Sequence, residues 1–211
     1  MKITHTKLLQ LITIATLVIL TFSNGYSQRE QWYGAFTYSV SFPTGDTKDF
    51  ISEIGWRGIG LDYRYLVNKN VTVGLYFGWN VLYESAEGVT QLNTDPPGAI
   101  YGSQEKTINS FPIMASAHYY FGERRQLRPY IGFNAGGFYM LQSYEIGIYQ
   151  YENNQWQWGI APEVGIVAPV ERDFGVIING KYNMAFTGEN ALGADVNNAY
   201  WSVNVGVVWE P

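Results

Sequence analysis

Few residues of this 211-residue chain are of the types that do covalent or metal chemistry. There is no cysteine, and the two histidines are His5 and His118. A disulfide framework, a thiolate metal site and a lipid-modified N-terminal cysteine are therefore excluded. A single histidine beyond the first segment does not build a transition-metal site, and no cofactor is expected. Ser116 and His118 stand two residues apart, which places them on one face of a strand. A serine beside a histidine is the minimum for nucleophilic catalysis. No Gly-x-Ser-x-Gly elbow surrounds this serine, and such a pair is more often packing or hydrogen bonding, so no catalytic residue is expected.

Four charges interrupt otherwise uncharged strand patterns: Asp62, Arg64, Glu163 and Lys181. A turn over Glu171 to Asp173 sets Glu163 directly opposite Lys181. The expectation is buried ion pairs, because an unpaired charge inside a protein is costly. A polar gate is the sharper alternative. Asp46, Asp49, Glu84, Glu87 and Asp95 fall in long connections and read as a solvated surface, or as weak ligands for divalent cations. Asp95-Pro96-Pro97-Gly98 is a rigid turn in the longest connection and a candidate contact site. No basic stripe marks the chain, so no nucleic-acid partner is expected.

The chain opens on Met1-Lys2 and Lys7, then an apolar run from Leu8 to Leu20, then Ser23-Asn24-Gly25-Tyr26-Ser27. This is the layout of a cleavable signal peptide over 1–27, and the run is short for a spanning helix, which needs roughly 20 residues. Cleavage before Gln28 leaves 28–211 as one domain and, with Lys2 and Lys7 gone, moves the formal charge from −5 to −7. No second long apolar run follows, which rules out a helical membrane protein.

Period-two alternation then recurs eight times, the mark of strands. One face of each holds no charged residue and no Ser, Thr, Asn, Gln or His: Trp32 to Phe42, Ile59 to Val67, Val71 to Tyr83, Phe111 to Phe121, Ile131 to Leu141, Trp156 to Ala168, Phe174 to Phe186, and Trp201 to Trp209. Glycine, small polar residues and the four charges occupy the other faces. Short connections (68–70, 122–128, 170–173) alternate with long ones (43–57, 84–110, 142–155, 188–199). The pattern predicts an all-β fold, an eight-stranded antiparallel up-and-down transmembrane β-barrel with long loops on one side.

Volume decides which face is outside. An eight-stranded barrel is just wide enough for side chains to fill it, and about six residues per strand, many of them aromatic, do not fit inside. The apolar face therefore meets lipid. Trp32, Tyr63, Tyr65, Tyr119 and Trp209 cluster near the short turns, and Trp79, Trp156, Trp158 and Trp201 near the long connections, as two aromatic girdles. Tyr33, Tyr76, Tyr120, Tyr130 and Tyr200 point inward. Closure is the demanding step, because lipid leaves no backbone group unpaired. Pro112, near a strand start, and Pro162, mid-strand, each remove a ladder donor, and Pro162 is expected to mark a bulge.

Leu127-Arg-Pro-Tyr-Ile-Gly-Phe-Asn-Ala-Gly-Gly-Phe-Tyr139 resembles the PYxGxxxG strand of small outer-membrane barrels of the OmpA and OmpW type. Phe111-Pro112 leading to Tyr119-Tyr120-Phe121-Gly122 resembles the preceding strand, and Phe42-Pro43-Thr44-Gly45-Asp46 the start of the first loop. The likeness covers roughly 30 to 211. It implies an outer-membrane location, lipid contact and recognition by the barrel-assembly machinery. Gly206 and Trp209 partly match the C-terminal assembly signal, from which Glu210-Pro211 departs. No peptidoglycan-binding domain is expected after the barrel. Some relatives of this type are lipid A deacylases with lipid-facing Ser, His and Glu, whereas Ser116 and His118 point inward. The function expected is a non-enzymatic barrel with a structural or surface-binding role through its long loops, docking an extracellular or envelope protein. A narrow channel for small or apolar solutes is the alternative, and a lipid A-modifying enzyme a third reading.

Overall fold

The computed structural model describes residues 32–92, 98–123, 126–147, 149–171, 173–189 and 195–209. The expected signal peptide over 1–27, Asp95-Pro96-Pro97 and Glu210-Pro211 lie outside the described residues. Eight strands follow one another: β1 (Trp32–Thr44), β2 (Arg57–Leu66), β3 (Val71–Leu92), β4 (Gly98–Tyr120), β5 (Arg128–Ile146), β6 (Tyr149–Pro169), β7 (Phe174–Glu189) and β8 (Asp195–Trp209). A short helix, α1 (Asp46–Phe50), interrupts the first connection. Each strand pairs antiparallel with its sequence neighbours, and β8 returns to β1, so the barrel is closed.

Closure runs from Gly34↔Trp209 to Thr44↔Ala199 without a break in register. Two glycines make it fit. The Trp209 ring lies over Gly34, where a Cβ would overlap it, and a Cβ at Gly206 would run into the backbone of Phe36 and Thr37. At the short turns the backbone is satisfied locally. Asn68 Oδ1 accepts the backbone N–H groups of Asn70 and Val71, each at 2.9 Å, and holds the β2–β3 turn.

Alternation sorts the side chains as the barrel requires. Phe36, Leu61, Leu75, Ile113, Ile131, Phe133, Val164, Ile178 and Val205 face outward and are exposed. Tyr33, Asp62, Arg64, Tyr76, Tyr120, Tyr130, Glu163, Lys181 and Tyr200 face inward and are buried. On β8 the outward apolar series from Trp209 to Ala199 covers ten steps, which at ~3.3 Å each and a ~40° tilt give a band ~25 Å tall, the height of an outer-membrane hydrocarbon layer. Outward positions turn polar above it, at Thr107, Asn109, Ser143 and Asn154.

Three expectations are corrected. Pro162 does not mark a bulge. It pairs with Phe133 on β5, and the β6–β7 register is the same at Ile160↔Met184 below it in sequence and at Glu163↔Lys181 above it. Even-numbered β6 positions direct their backbone toward β7, as Val170 does in donating to Phe174 O at 3.0 Å, so one β7-side rung is lost and the β5 side is untouched. The register shift that does occur lies between Ala185 and Gly188 on β7–β8. Pro112 is not near a strand start: β4 begins at Gly98, and Pro112 pairs with Phe138 in mid-strand. Third, the long connections after β3 and β5 are not loops. Pairing continues unbroken to Leu92↔Gly98 and to Ile146↔Tyr149. Above the bilayer both sheet faces meet water or protein, so the strands persist after the apolar/polar alternation has stopped.

Candidate functional site

The interior is filled in three layers. At the short-turn end Tyr33, Ala35, Leu66, Tyr120, Tyr130, Val167, Ile177 and Val208 pack together. At the opposite end Tyr76, Leu82, Ile108, Met114, Phe138, Met140 and Tyr200 pack around Ile51, which is delivered from the first connection. Between these apolar layers lies the charge cluster.

Glu163 is its centre. Tyr130 OH donates to Oε1 at 2.6 Å, and the Arg64 guanidinium approaches the same oxygen at 3.4 Å. Asn134 Nδ2 donates to Oε2 at 3.1 Å, His118 Nε2 at 3.3 Å, and Lys181 Nζ lies 3.4 Å away. Donation by Nε2 fixes the His118 tautomer and leaves Nδ1 as an acceptor. Arg64 also pairs with Asp62 at 3.0 Å and donates to Tyr120 OH at 2.7 Å. Lys181 Nζ sits 3.1 Å from the centroid of the Tyr76 ring, and the Arg64 guanidinium 5.3 Å from that of Tyr130. Two carboxylates and two cations balance with His118 neutral. The four lumen charges singled out in the sequence are thus one cluster, with Glu163 across from Lys181 on adjacent strands.

The arrangement holds charge and does not present it. Arg64, Glu163 and Lys181 are sealed from solvent. Ser116 and His118 do share the lumen face and both are buried, but Ser116 Oγ has no hydrogen-bond partner, so no Ser–His relay exists. Among the described residues no three His, Cys, Asp or Glu side chains gather as a metal-binding group.

The first connection closes the outer mouth. Gly45, with φ 54°, turns the chain into α1. Thr47 Oγ1 accepts the Ala199 N–H at 2.8 Å, and Asp46 Oδ2 accepts the Asn197 N–H at 3.0 Å. Ser52 gives Glu84 Oε2 its backbone N–H at 2.6 Å and its hydroxyl at 2.8 Å. Lys106 pairs with Glu84 at 3.8 Å and lies over the rings of Phe50 and Tyr144. Partial burial opposes ionisation of Glu84; the two Ser52 donors and then Lys106 outweigh it and hold the carboxyl below its usual range. Sequence reading missed this plug; its signal is the adjacent apolar pair Phe50-Ile51 within a connection otherwise read as a polar loop.

All nine girdle aromatics face outward and are exposed. Trp32 stacks on Tyr63 at 4.7 Å between ring centroids. Trp79, Phe111, Tyr139 and Trp156 form a ladder of rings across β3 to β6, with neighbouring centroids 6.3, 6.5 and 5.1 Å apart. Trp79 Nε1 donates to Asn109 at 3.1 Å, where the polar rows begin.

Fold, apolar band and filled lumen together define a small transmembrane β-barrel. Solved structures share this fold. The Neisserial surface protein A superposes with a TM-score of 0.57 at 14% identity, covering 86% of this chain and 97% of that one. The attachment invasion locus protein Ail of Yersinia pestis (TM-score 0.48, 12% identity, 86% and 99% covered) and outer membrane protein W of E. coli (0.45, 16%, 88% and 100%) are also similar. No family model matches the chain. No curated protein matches it. The fold is therefore that of the small eight-stranded outer-membrane barrels.

Proposed function

We propose that this chain is a non-enzymatic barrel of the bacterial outer membrane that holds rigid hairpins at the cell surface for structural or docking contacts. One contrast carries the reading: the lumen is filled, whereas the β3–β4 hairpin runs on far past the apolar band, from Tyr83↔Thr107 to Leu92↔Gly98. A filled lumen speaks against a solute conduit, and the sealed, unlinked Ser116 and His118 against lipid modification. Outer-membrane lipid on the apolar band, and the barrel-assembly machinery during insertion, are the partners this reading requires. Asp95, Pro96 and Pro97, the candidate contact residues, fall in the sequence between Leu92 and Gly98.

Replacing Glu87–Ser103 by an Asn-Gly turn tests the reading, because Ala86 and Gln104 are directly opposite with their backbone groups turned toward each other, the kind of pair a two-residue turn closes. The shortened barrel is expected to insert and remain heat-modifiable while losing its surface crosslinks on intact cells. An unchanged crosslink pattern would sink the proposal. Lipid A mass spectra that change with expression of the protein would favour the enzymatic reading instead.

A further inference from the structure

The β3–β4 hairpin is supported on one side only as far as β2 reaches. The last β2–β3 pair is Arg57↔Val81. Beyond it the first connection covers Val81 to Glu84, through Gly55 against Val81 O and Ser52 on Glu84. Among the described residues nothing pairs with Ser85–Gln91 on that side.

Backbone direction along this edge is determined. Gly147 N donates to Ser103 O at 3.2 Å, so Ser103 faces β5 and its partner Glu87 faces away from β4. At the base of the strand Val71 O accepts the Val67 N–H across the turn, which gives odd-numbered β3 residues the same direction. Ser85, Glu87, Val89 and Gln91 therefore turn their N–H and C=O groups to the open edge, while Gly88 and Thr90 bond β4.

Natural sheets block such edges with lysine, proline or a bulge. Ser85-Ala-Glu-Gly-Val-Thr-Gln91 has neither lysine nor proline, and its register with β4 is unbroken. The surroundings are acidic. Among the described side chains on this end of the barrel, Asp46, Asp49, Glu53, Glu84, Glu87, Glu105, Glu145 and Glu152 outnumber Lys48, Arg57 and Lys106. Glu105 and Glu145 stand directly opposite each other, a repulsion that nearby positive charge would relieve.

We propose, building on the surface-docking role above, that the open edge of β3 over Ser85–Gln91 takes an extended basic segment of a partner protein as an added strand. Backbone pairing supplies affinity, and the carboxylates select lysine- or arginine-bearing segments. A second copy fits poorly. Two copies in one membrane point the same way, so their β3 edges would meet parallel and with like charge.

The test uses the full chain in lipid nanodiscs and a twelve-residue peptide alternating lysine with valine and threonine. Binding is expected to protect the amides of Glu87, Val89 and Gln91 from hydrogen exchange, and to weaken with salt. Val89→Pro removes an edge donor without touching the β4 ladder and should weaken binding about tenfold, roughly 1.4 kcal/mol. Continued protection of Gly88 and Thr90 in that variant shows that the hairpin is intact. A peptide with glutamate in place of lysine should not bind. Protection confined to other strands, indifference to Val89→Pro, or no binding of the lysine peptide at millimolar concentration overturns the edge. On intact cells, crosslinks lost on shortening the hairpin but kept in Val89→Pro remove the edge and leave the docking role; crosslinks kept in both remove the role itself.

Discussion

Glu163 gathers five donors from five other side chains on β2, β4, β5 and β7. Removing one partner of a buried cluster leaves charge without compensation, whereas removing an opposed pair does not. Lys181→Met leaves Asp62 and Glu163 facing Arg64 alone and is expected to cost about 3 kcal/mol. Adding Glu163→Gln restores neutrality and should recover more than half of that loss. Urea titrations read through the heat-modifiable gel shift measure both, and equal destabilisation of the single and double variants would contradict the account. The inward direction of Asp62, Arg64, Glu163 and Lys181 was legible because strand side chains alternate with period two. The roles of Tyr130 and Asn134 were not, because which side chains meet across a lumen depends on the stagger of the closed barrel.

At the scale of elements, closure and the plug make separate predictions. Gly206→Ala pushes a Cβ into the backbone of β1, which no side-chain rotation relieves. It should lower stability by about 1–3 kcal/mol, the usual cost of overpacking, and be visible in the same gel shift. The plug responds to acid. Glu84 has a carboxyl held below its ordinary range, so its contribution is complete above the unfolded-state value and is lost as pH falls through the depressed one. Exchange protection of the Ser52 amide should therefore drop at the acid end of a pH series, and Glu84→Gln should lower it at neutral pH and flatten the response. A pH-independent Ser52 amide in the parent chain would contradict the clip. Strand identity was legible wherever lipid forced one face to be apolar, as in Leu75, Phe77 and Trp79. It was lost from Glu84 to Ser110, where Ser85, Glu87, Glu105 and Thr107 face water and their pairing leaves no alternation to read.

The whole molecule is a band, a plug and a platform. The band requires depth-dependent tolerance. Leu75 faces outward in mid-band, and Leu75→Arg should cost ~2–4 kcal/mol in folding into bilayers, whereas Ser143→Arg above the girdle should cost ~0–1 kcal/mol. Similar losses at both sites would place the band elsewhere. On the proposed reading the barrel is no conduit, because Arg64, Lys181, Phe138, Met140 and Tyr200, buried in the lumen beneath the plug, occupy the space that a solute would need. Planar-bilayer recording of the purified chain tests that claim most directly. A filled lumen under α1 predicts a quiet baseline after insertion; reproducible single-channel steps would contradict it.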